Sequence, residues 1–320
     1  MNFSRIQDCI DVPKMQQSNI SVISVGGSMG LLCNLVRCGA QSFDLYDFDT
    51  VSLENLPRQA HSFPCIGMPK VDAARIEMQR INPGVQVRGF RSDITTMSDI
   101  EIEEAFSDTD LLINATDSFA AHAAGNRIAL RLGIPSLFIG LYPEGAAGEI
   151  VFWHPDLKAC YRCLCPSRYK AHERAATEGT SLDPSSHGCT IFGITQLDAI
   201  AGEIAVGLLT RGADNRYGRL IEQLGNRNFI QLQLDAEWSL NGQNPVRKKL
   251  GVSPNNPAYF SWNAIALSDP DHGNLYCPDC ENYRGHCFGF IHGLSVRLGF
   301  PSTPVANVQP TPTDGGDHVS

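Results

Sequence analysis

The amino-acid sequence predicts an α/β protein with a Rossmann-like, mostly parallel sheet flanked by helices, and a zinc-stapled C-terminal extension. Three observations predict it. Short apolar runs alternate with helical patterns as far as about Phe152, the order that builds a largely parallel sheet. The first of these runs leads through a glycine-rich turn into a helix, SVISVGGSMGLLCNLVRCG at residues 21–39. Two CxxC pairs, Cys160 with Cys163 and Cys277 with Cys280, stand more than a hundred residues apart and would tie the later chain back onto the earlier.

The opening strand, turn and helix form an arrangement that presents backbone amides to a phosphate. The glycines are Gly26, Gly27 and Gly30, with Val25 standing where a full GxGxxG would place its first glycine. Such a turn serves a dehydrogenase as well as an ATP-binding enzyme, and it is also a purely structural solution for a tight turn. Cys33 and Cys38 fall in the helix that follows and read as small core residues.

SFDLY (residues 42–46) reads as a buried strand, which puts Asp47 and Asp49 at its carboxyl end, where open α/β sheets bind ligands. Of the two, Asp49 is better placed to accept hydrogen bonds from ribose hydroxyls. In the same segment, DFDTVSLENLPRQ, Asn55 and Arg58 would face phosphate oxygens. The alternative is a polar loop whose acid caps the next helix and whose arginine is solvated. MPKVDAARIEMQRINP (residues 68–83) follows as a helix between Pro69 and Pro83, with Lys70 in its first turn. A cation there opposes the helix dipole, so an anion bound nearby is expected. The strand DLLINATD (residues 110–117) ends in Asp117, a hard carboxylate suited to magnesium beside a triphosphate or to capping the helix that starts near Phe119.

IPSLFIGLY (residues 134–142) and GEIVFW (residues 148–153) are further strand candidates. Two CxxC pairs make a tetrahedral thiolate zinc site, structural because four thiolates leave no open position; a redox dithiol is the alternative. Residues 166–188 form a polar run that reads as a long crossover loop, the kind that acts as a lid. It ends at Cys189, just ahead of an apolar helix of about five turns. A thiol there would feel the helix N-terminus, which favours the thiolate, although free cysteines are also common packing residues. His187 reads as an ordinary loop histidine. NFIQLQLDAEW, within residues 211–276, is β-like, and residues 301–320 have the composition of a disordered tail.

Composition narrows the classes. With 320 residues, 42% of them hydrophobic, the chain has ample core for one large α/β domain and an extension. No apolar run approaches the roughly 18 residues of a membrane helix. A formal charge of -9 argues against a nucleic-acid surface. The polar amino terminus and eleven cysteines point to a reducing cytoplasm.

Asp47, Asp49 and Val51 followed by Asn55, Leu56, Arg58 and Gln59 resemble the DxDxV and NLxRQ hallmark of the ThiF/MoeB and ubiquitin-activating enzyme family. The resemblance extends over Gly67 to Lys70, the ATD before Ser118, CYRCLCP at residues 160–166 and the helix around residues 190–210. It implies an adenylation domain over residues 1–300, with a nucleotide-binding half to about residue 153. It places Asp49 on the ribose of ATP, Asn55, Arg58 and Lys70 on the phosphates, and Asp117 on magnesium. FSRIQ (residues 3–7) is similar to the family's YSRQ, which makes Arg5 a finger supplied in trans and implies a homodimer. The resemblance further implies adenylation of the C-terminal carboxylate of a ubiquitin-like protein ending in glycine, and a thioester on Cys189 passed to a conjugating enzyme. Two other functions stay open. One is adenylation of a sulfur carrier or peptide with no enzyme thioester; the other is an NAD-dependent oxidoreductase.

Overall fold

The computed structural model describes residues 1–182, 189–235, 238–239, 242–253, 263–268 and 277–285. A compact unit spans Met1–Cys287. His187 and residues 301–320 lie outside the described residues.

Among the described residues eight strands form one sheet in the order β3-β2-β1-β4-β5-β6-β7-β8. The first five, β1 (Asn19–Ile23), β2 (Ser42–Tyr46), β3 (Gln86–Phe90), β4 (Leu111–Asn114) and β5 (Ser136–Leu141), are parallel. β1 and β4 are buried along nearly their whole length, as apolar runs must be when helices cover both faces. β6 (Ala147–Trp153), β7 (Phe229–Gln233) and β8 (Asn263–Leu267) continue the sheet antiparallel. The reason lies in the connection. Only residues 142–146 join β5 to β6, far short of the dozen or so that a parallel crossover requires. Within the β-like stretch NFIQLQLDAEW, Phe229–Gln233 forms β7, an interior strand of the same sheet.

Helices occupy the crossovers. In chain order they are α1 (Val12–Gln17), α2 (Met29–Arg37), α3 (Lys70–Ile81), α4 (Asp99–Phe106), α5 (Phe119–Leu132), α6 (Tyr161–Leu164), α7 (Pro166–Glu178), α8 (Ile191–Leu209), α9 (Arg216–Leu224), α10 (Pro245–Lys249) and α11 (Pro278–Tyr283). The expected boundaries of α3 hold to within two residues, because Pro69 stands just before its first turn and Pro83 follows its end.

Two expectations need correcting. The run at 166–188 is not a loop over its first half: α7 takes up Pro166–Glu178, with proline at its first position and Gly179 closing it in the left-handed conformation at φ 68°. Only Tyr169 and Ala175 of α7 are buried, too few to print a helical apolar period on the sequence. The expectation about membrane length also fails. α8, at 19 residues, is long and apolar enough to match a membrane span by length and composition. It packs against α2, β5, β6 and α9, and Leu197, Ala201, Ile204 and Ala205 are buried there, as in a core helix that is apolar because both its sides are covered.

β1 is flanked by β2 on one side and β4 on the other, so the chain reverses its direction of travel across the sheet between β1 and β4. Open α/β sheets offer a crevice at the carboxyl ends of the strands at such a switch point.

Candidate functional site

A cleft of about 520 Å3 opens at that switch point. Its floor is the turn from β1 to α2. Ser24 leaves the strand at φ 65°, a left-handed conformation rare outside glycine, and its amide donates to Tyr46 O at 2.8 Å. Asp47 sits beneath this turn, 6% exposed. Its Oδ2 accepts from the Val25 amide and its Oδ1 from the Asp49 amide, both at 2.9 Å. Asp47 thus tethers the glycine turn to the end of β2 and is not among the residues lining the cleft. Gly26 and Gly27 line it, and Gly26 has no room for a side chain because a Cβ would fall 2.8 Å from Gln59 Nε2. Gly30 sits behind the turn, where a Cβ would fall 2.8 Å from Asp198 Oδ2.

One wall comes from the segment after β2. Ser52 and Asn55 cap a short 3-10 turn reciprocally, the Ser52 amide donating to Asn55 Oδ1 at 3.0 Å. That turn delivers Asn55, Arg58 and Gln59 to the cleft. Gln59 is 6% exposed. The chain then folds back: the Gly67 amide donates to Val51 O and the Lys70 amide to Asp49 O, with Gly67 at φ +80°. This clasp brings Lys70 Nζ within 2.7 Å of Asp49 Oδ2. The anion expected near Lys70 is therefore present in the protein itself, as Asp49. The Lys70 side chain is 10% exposed and the Asp49 side chain 52%, so the carboxylate still faces the cleft.

The opposite wall follows β4. Asp117 is exposed at the cleft edge, and Ser118, not Asp117, caps α5 through the Ala121 amide. The capping role open to Asp117 in the sequence is thus taken by its neighbour. His122 braces this turn, its Nε2 lying 2.8 Å from Thr116 O, and burial, reinforced by the Arg168 charge, lowers its pKa to about 4. Cys189 lines the far end of the cleft, partly buried, one residue before the N-cap Thr190 of α8. Arg5 is exposed and is not among the residues lining the cleft of its own chain.

The structure gathers Gly26, Gly27, Asp49, Asn55, Arg58, Gln59, Lys70, Asp117 and Cys189 around one cavity. It also adds residues that sequence reasoning missed. Arg168 of α7 donates from Nη1 to Glu149 Oε1 of β6 at 2.5 Å and to the Tyr161 hydroxyl at 2.6 Å. Tyr142 donates to Glu149 Oε2 at 2.6 Å, which leaves the buried carboxylate with two partners. Asp198 of α8 reaches the start of α2, and burial raises its pKa to about 7. An acid in the middle of an apolar helix, one of two there with Glu203, was its legible signal. The contact between Arg168 and Glu149 left none, since 19 residues and a β-to-α change separate them.

The four cysteines of the CxxC pairs converge, their sulfurs all within 4.8 Å of one another. Neighbouring Sγ atoms are 3.5 to 3.7 Å apart. Tetrahedral zinc with bonds of about 2.3 Å requires roughly 3.8 Å between sulfurs, so the donor set and spacing fit that metal. Asn126 of α5 anchors the knuckle, donating to Asp279 at 2.8 Å and accepting from the Tyr161 amide at 3.2 Å. Arg284 donates to Cys280 Sγ at 3.3 Å, the kind of outer contact that steadies a thiolate ligand.

Comparison with known proteins supplies the family. The molybdopterin-synthase adenylyltransferase of Escherichia coli (strain K12) is 33% identical over 158 residues, covering 47% of this chain and 59% of that protein. Ubiquitin-like modifier-activating enzyme 5 of Bombyx mori is 30% identical over 165 residues, covering 48% of this chain and 41% of that one. The chain thus spans about half the length of the curated relatives it matches. Among solved structures, E. coli MccB with ATP matches at a TM-score of 0.57 and 14% identity, covering 85% of this chain and 69% of that chain. PaaA matches at 0.56 and 16% identity, covering 80% and 75%. At such identities these structures speak to the fold alone, but the ThiF family model matches residues 11–293, and the chain belongs to the ThiF family.

Proposed function

We propose that the chain is an ATP-dependent adenylyltransferase acting on the C-terminal carboxylate of a small protein. One observation carries this reading: a glycine turn, two cations and an exposed carboxylate converge on a single cleft at the sheet's switch point. The substrate carboxylate, already ionised at neutral pH, attacks the α-phosphorus of ATP. The bond to the leaving pyrophosphate breaks, and an acyl adenylate forms. This step requires no general base. It requires alignment and charge neutralisation, which Arg58 and Lys70 supply at the phosphates while Asn55 and the Gly26–Gly27 turn orient them. Asp49 would release Lys70 to the phosphates and accept from the ribose. Magnesium, held by Asp117, would add Lewis-acid stabilisation of the departing charge.

The finer reading is that Cys189 attacks the acyl carbon of the adenylate as thiolate, expelling AMP and leaving a thioester for a conjugating enzyme. Its place on the cleft wall supports this, and the substrate is then a ubiquitin-like protein ending in glycine. A homodimer in which Arg5 reaches the partner's cleft, and a reducing cytoplasmic setting that keeps Cys189 and the zinc thiolates unoxidised, belong to the same proposal. The second reading keeps every ATP contact and leaves Cys189 idle, with a sulfur carrier or peptide as substrate. The relatives named above as a molybdopterin-synthase adenylyltransferase and a ubiquitin-like modifier-activating enzyme stand on either side of that choice.

Calorimetric titration with ATP and with NAD tests the shared part. Binding of NAD with no binding of ATP would overturn both adenylation readings in favour of an oxidoreductase. Non-reducing gels of Cys189→Ala beside the parent, with ATP and a candidate carrier, separate the two. A thiol-sensitive adduct that survives the substitution sinks the thioester on Cys189.

A further inference from the structure

Ser28 occupies the N-cap position of α2, yet its side chain makes no capping bond and donates instead to Ser24 O at 3.1 Å. The cap comes from elsewhere. Asp198 Oδ2, on α8, accepts from the Leu31 amide in the first turn of α2 at 3.1 Å, and it lies 2.8 Å from where a Cβ on Gly30 would stand. Asp198 is 6% exposed and borders the cleft just behind the glycine turn.

Charges on the elements around it are committed to other partners. Lys14 of α1 donates to Arg211 O and Arg37 of α2 to Cys33 O. Glu149 of β6 holds Arg168, Arg216 of α9 pairs with Glu203 of α8, and Arg219 of α9 pairs with Asp214. Burial keeps Cys33 of α2 a neutral thiol and raises the Tyr217 hydroxyl of α9, while Glu222 of α9 is solvent-exposed. β4 and β5 carry no ionisable side chain. Across the cleft Lys70 is paired with Asp49, and His122 is held neutral by burial. Arg58 lines the same cleft without pairing with Asp198. A carboxylate so buried, bonded to a backbone amide and paired with no cation among the described residues, would repel a polyphosphate brought to the adjoining turn.

We propose that Asp198 is a positioning residue of the nucleotide site: from α8 it caps the phosphate-facing end of α2, and ATP seats there with the Asp198 carboxyl neutral. The inference rests on the adenylation reading and adds a proton to it. Above neutral pH, ATP binding takes one proton from solvent onto Asp198. An Asn side chain at this position keeps an oxygen for the Leu31 amide and carries no charge, whereas Ala supplies no cap.

The test is calorimetric titration of the full chain with MgATP from about pH 6.5 to about pH 8.5, using the parent, Asp198→Asn and Asp198→Ala. ATP's own phosphate titration is common to all three and cancels between them. The parent's Kd is expected to rise roughly tenfold more than that of Asp198→Asn over this range, with Asp198→Ala roughly fivefold weaker than Asp198→Asn throughout. Titrating the parent near pH 8 in two buffers of different ionisation enthalpy should show net proton uptake beyond that of ATP alone, a readout that needs no variant. ATP binding with parallel pH profiles, or without that uptake, overturns the proposal and leaves the adenylation reading standing. Asp198→Ala binding as tightly as Asp198→Asn overturns the capping role. Absence of ATP binding by the parent at every pH overturns the adenylation reading and this proposal together.

Discussion

The two sides of the cleft are built differently. On the phosphate side, Gly26, Gly27, Asp49, Asn55, Arg58 and Lys70 come from two stretches of chain, and each stretch leaves the carboxyl end of a parallel strand. Backbone amides and short-range caps do the positioning there, as in the bond from the Ser52 amide to Asn55 and the clasp that ends at Lys70. On the other side, Tyr142, Tyr161, Arg168 and Cys189 come from the β5–β6 connection, the cysteine knuckle, α7 and the lead into α8, with Glu149 of β6 bonded to Tyr142 and Arg168. Side-chain contacts between distant elements position them. The wall proposed for the phosphates is local in sequence, and the wall opposite is assembled by tertiary packing.

This contrast predicts separable damage. Arg58→Ala should do the most harm to ATP: losing a charged hydrogen-bond donor at the phosphates is expected to weaken MgATP binding by about 3 kcal/mol, roughly 100-fold in Kd, with little change in melting temperature. Calorimetry beside a thermal melt checks it, and an equal loss of stability would merge the two sides.

Arg168→Ala should show the reverse. It leaves Glu149, whose side chain is 3% exposed, short of its cationic partner, so a destabilisation of about 3 kcal/mol is expected in denaturant titration. ATP affinity should stay within about twofold. A large loss of ATP binding at unchanged stability would break the comparison.

Asp198 bridges the two sides, since α8 carries it to α2. Burial raises its folded pKa to about 7, well above the ordinary carboxylate range, so the folded state holds its proton more tightly than the unfolded chain does. The contribution to stability is therefore full below about pH 4, is lost as pH rises toward 7, and is flat above. The melting temperature of Asp198→Asn minus that of the parent should grow across this window and then level off. A difference independent of pH would place the titration elsewhere.

The smallest effect is expected at Arg219. Its pair with Asp214 is solvent-exposed, at 53% and 101% side-chain exposure, and far from either wall, so Arg219→Ala should change stability by less than about 0.5 kcal/mol. A larger shift in a melt would give α9 a role it lacks in this account.

What was legible in the sequence follows the same line. The parallel half of the sheet was readable because its strands are continuous apolar runs and its helices carry proline boundaries, as α3 does between Pro69 and Pro83. The cysteine knuckle was readable from spacing alone, because zinc demands donors of a fixed kind and number. α7 was not readable as a helix, because it buries two residues and shows solvent the rest. The antiparallel direction of β6 was within reach, since the strand candidates at 134–142 and 148–153 leave too short a connection for a parallel crossover.

The sequence by itself determined the family and the residues proposed for the phosphates, since local caps and turns a few positions away place those residues and leave a motif. The tertiary structure alone decided that Asp47 tethers the turn while Asp49 faces the cleft, that Lys70 pairs with Asp49, and that Asp198 caps a helix it is 167 residues distant from. A contact between side chains far apart in the chain constrains neither neighbouring residue types nor their period, so only packing reveals it.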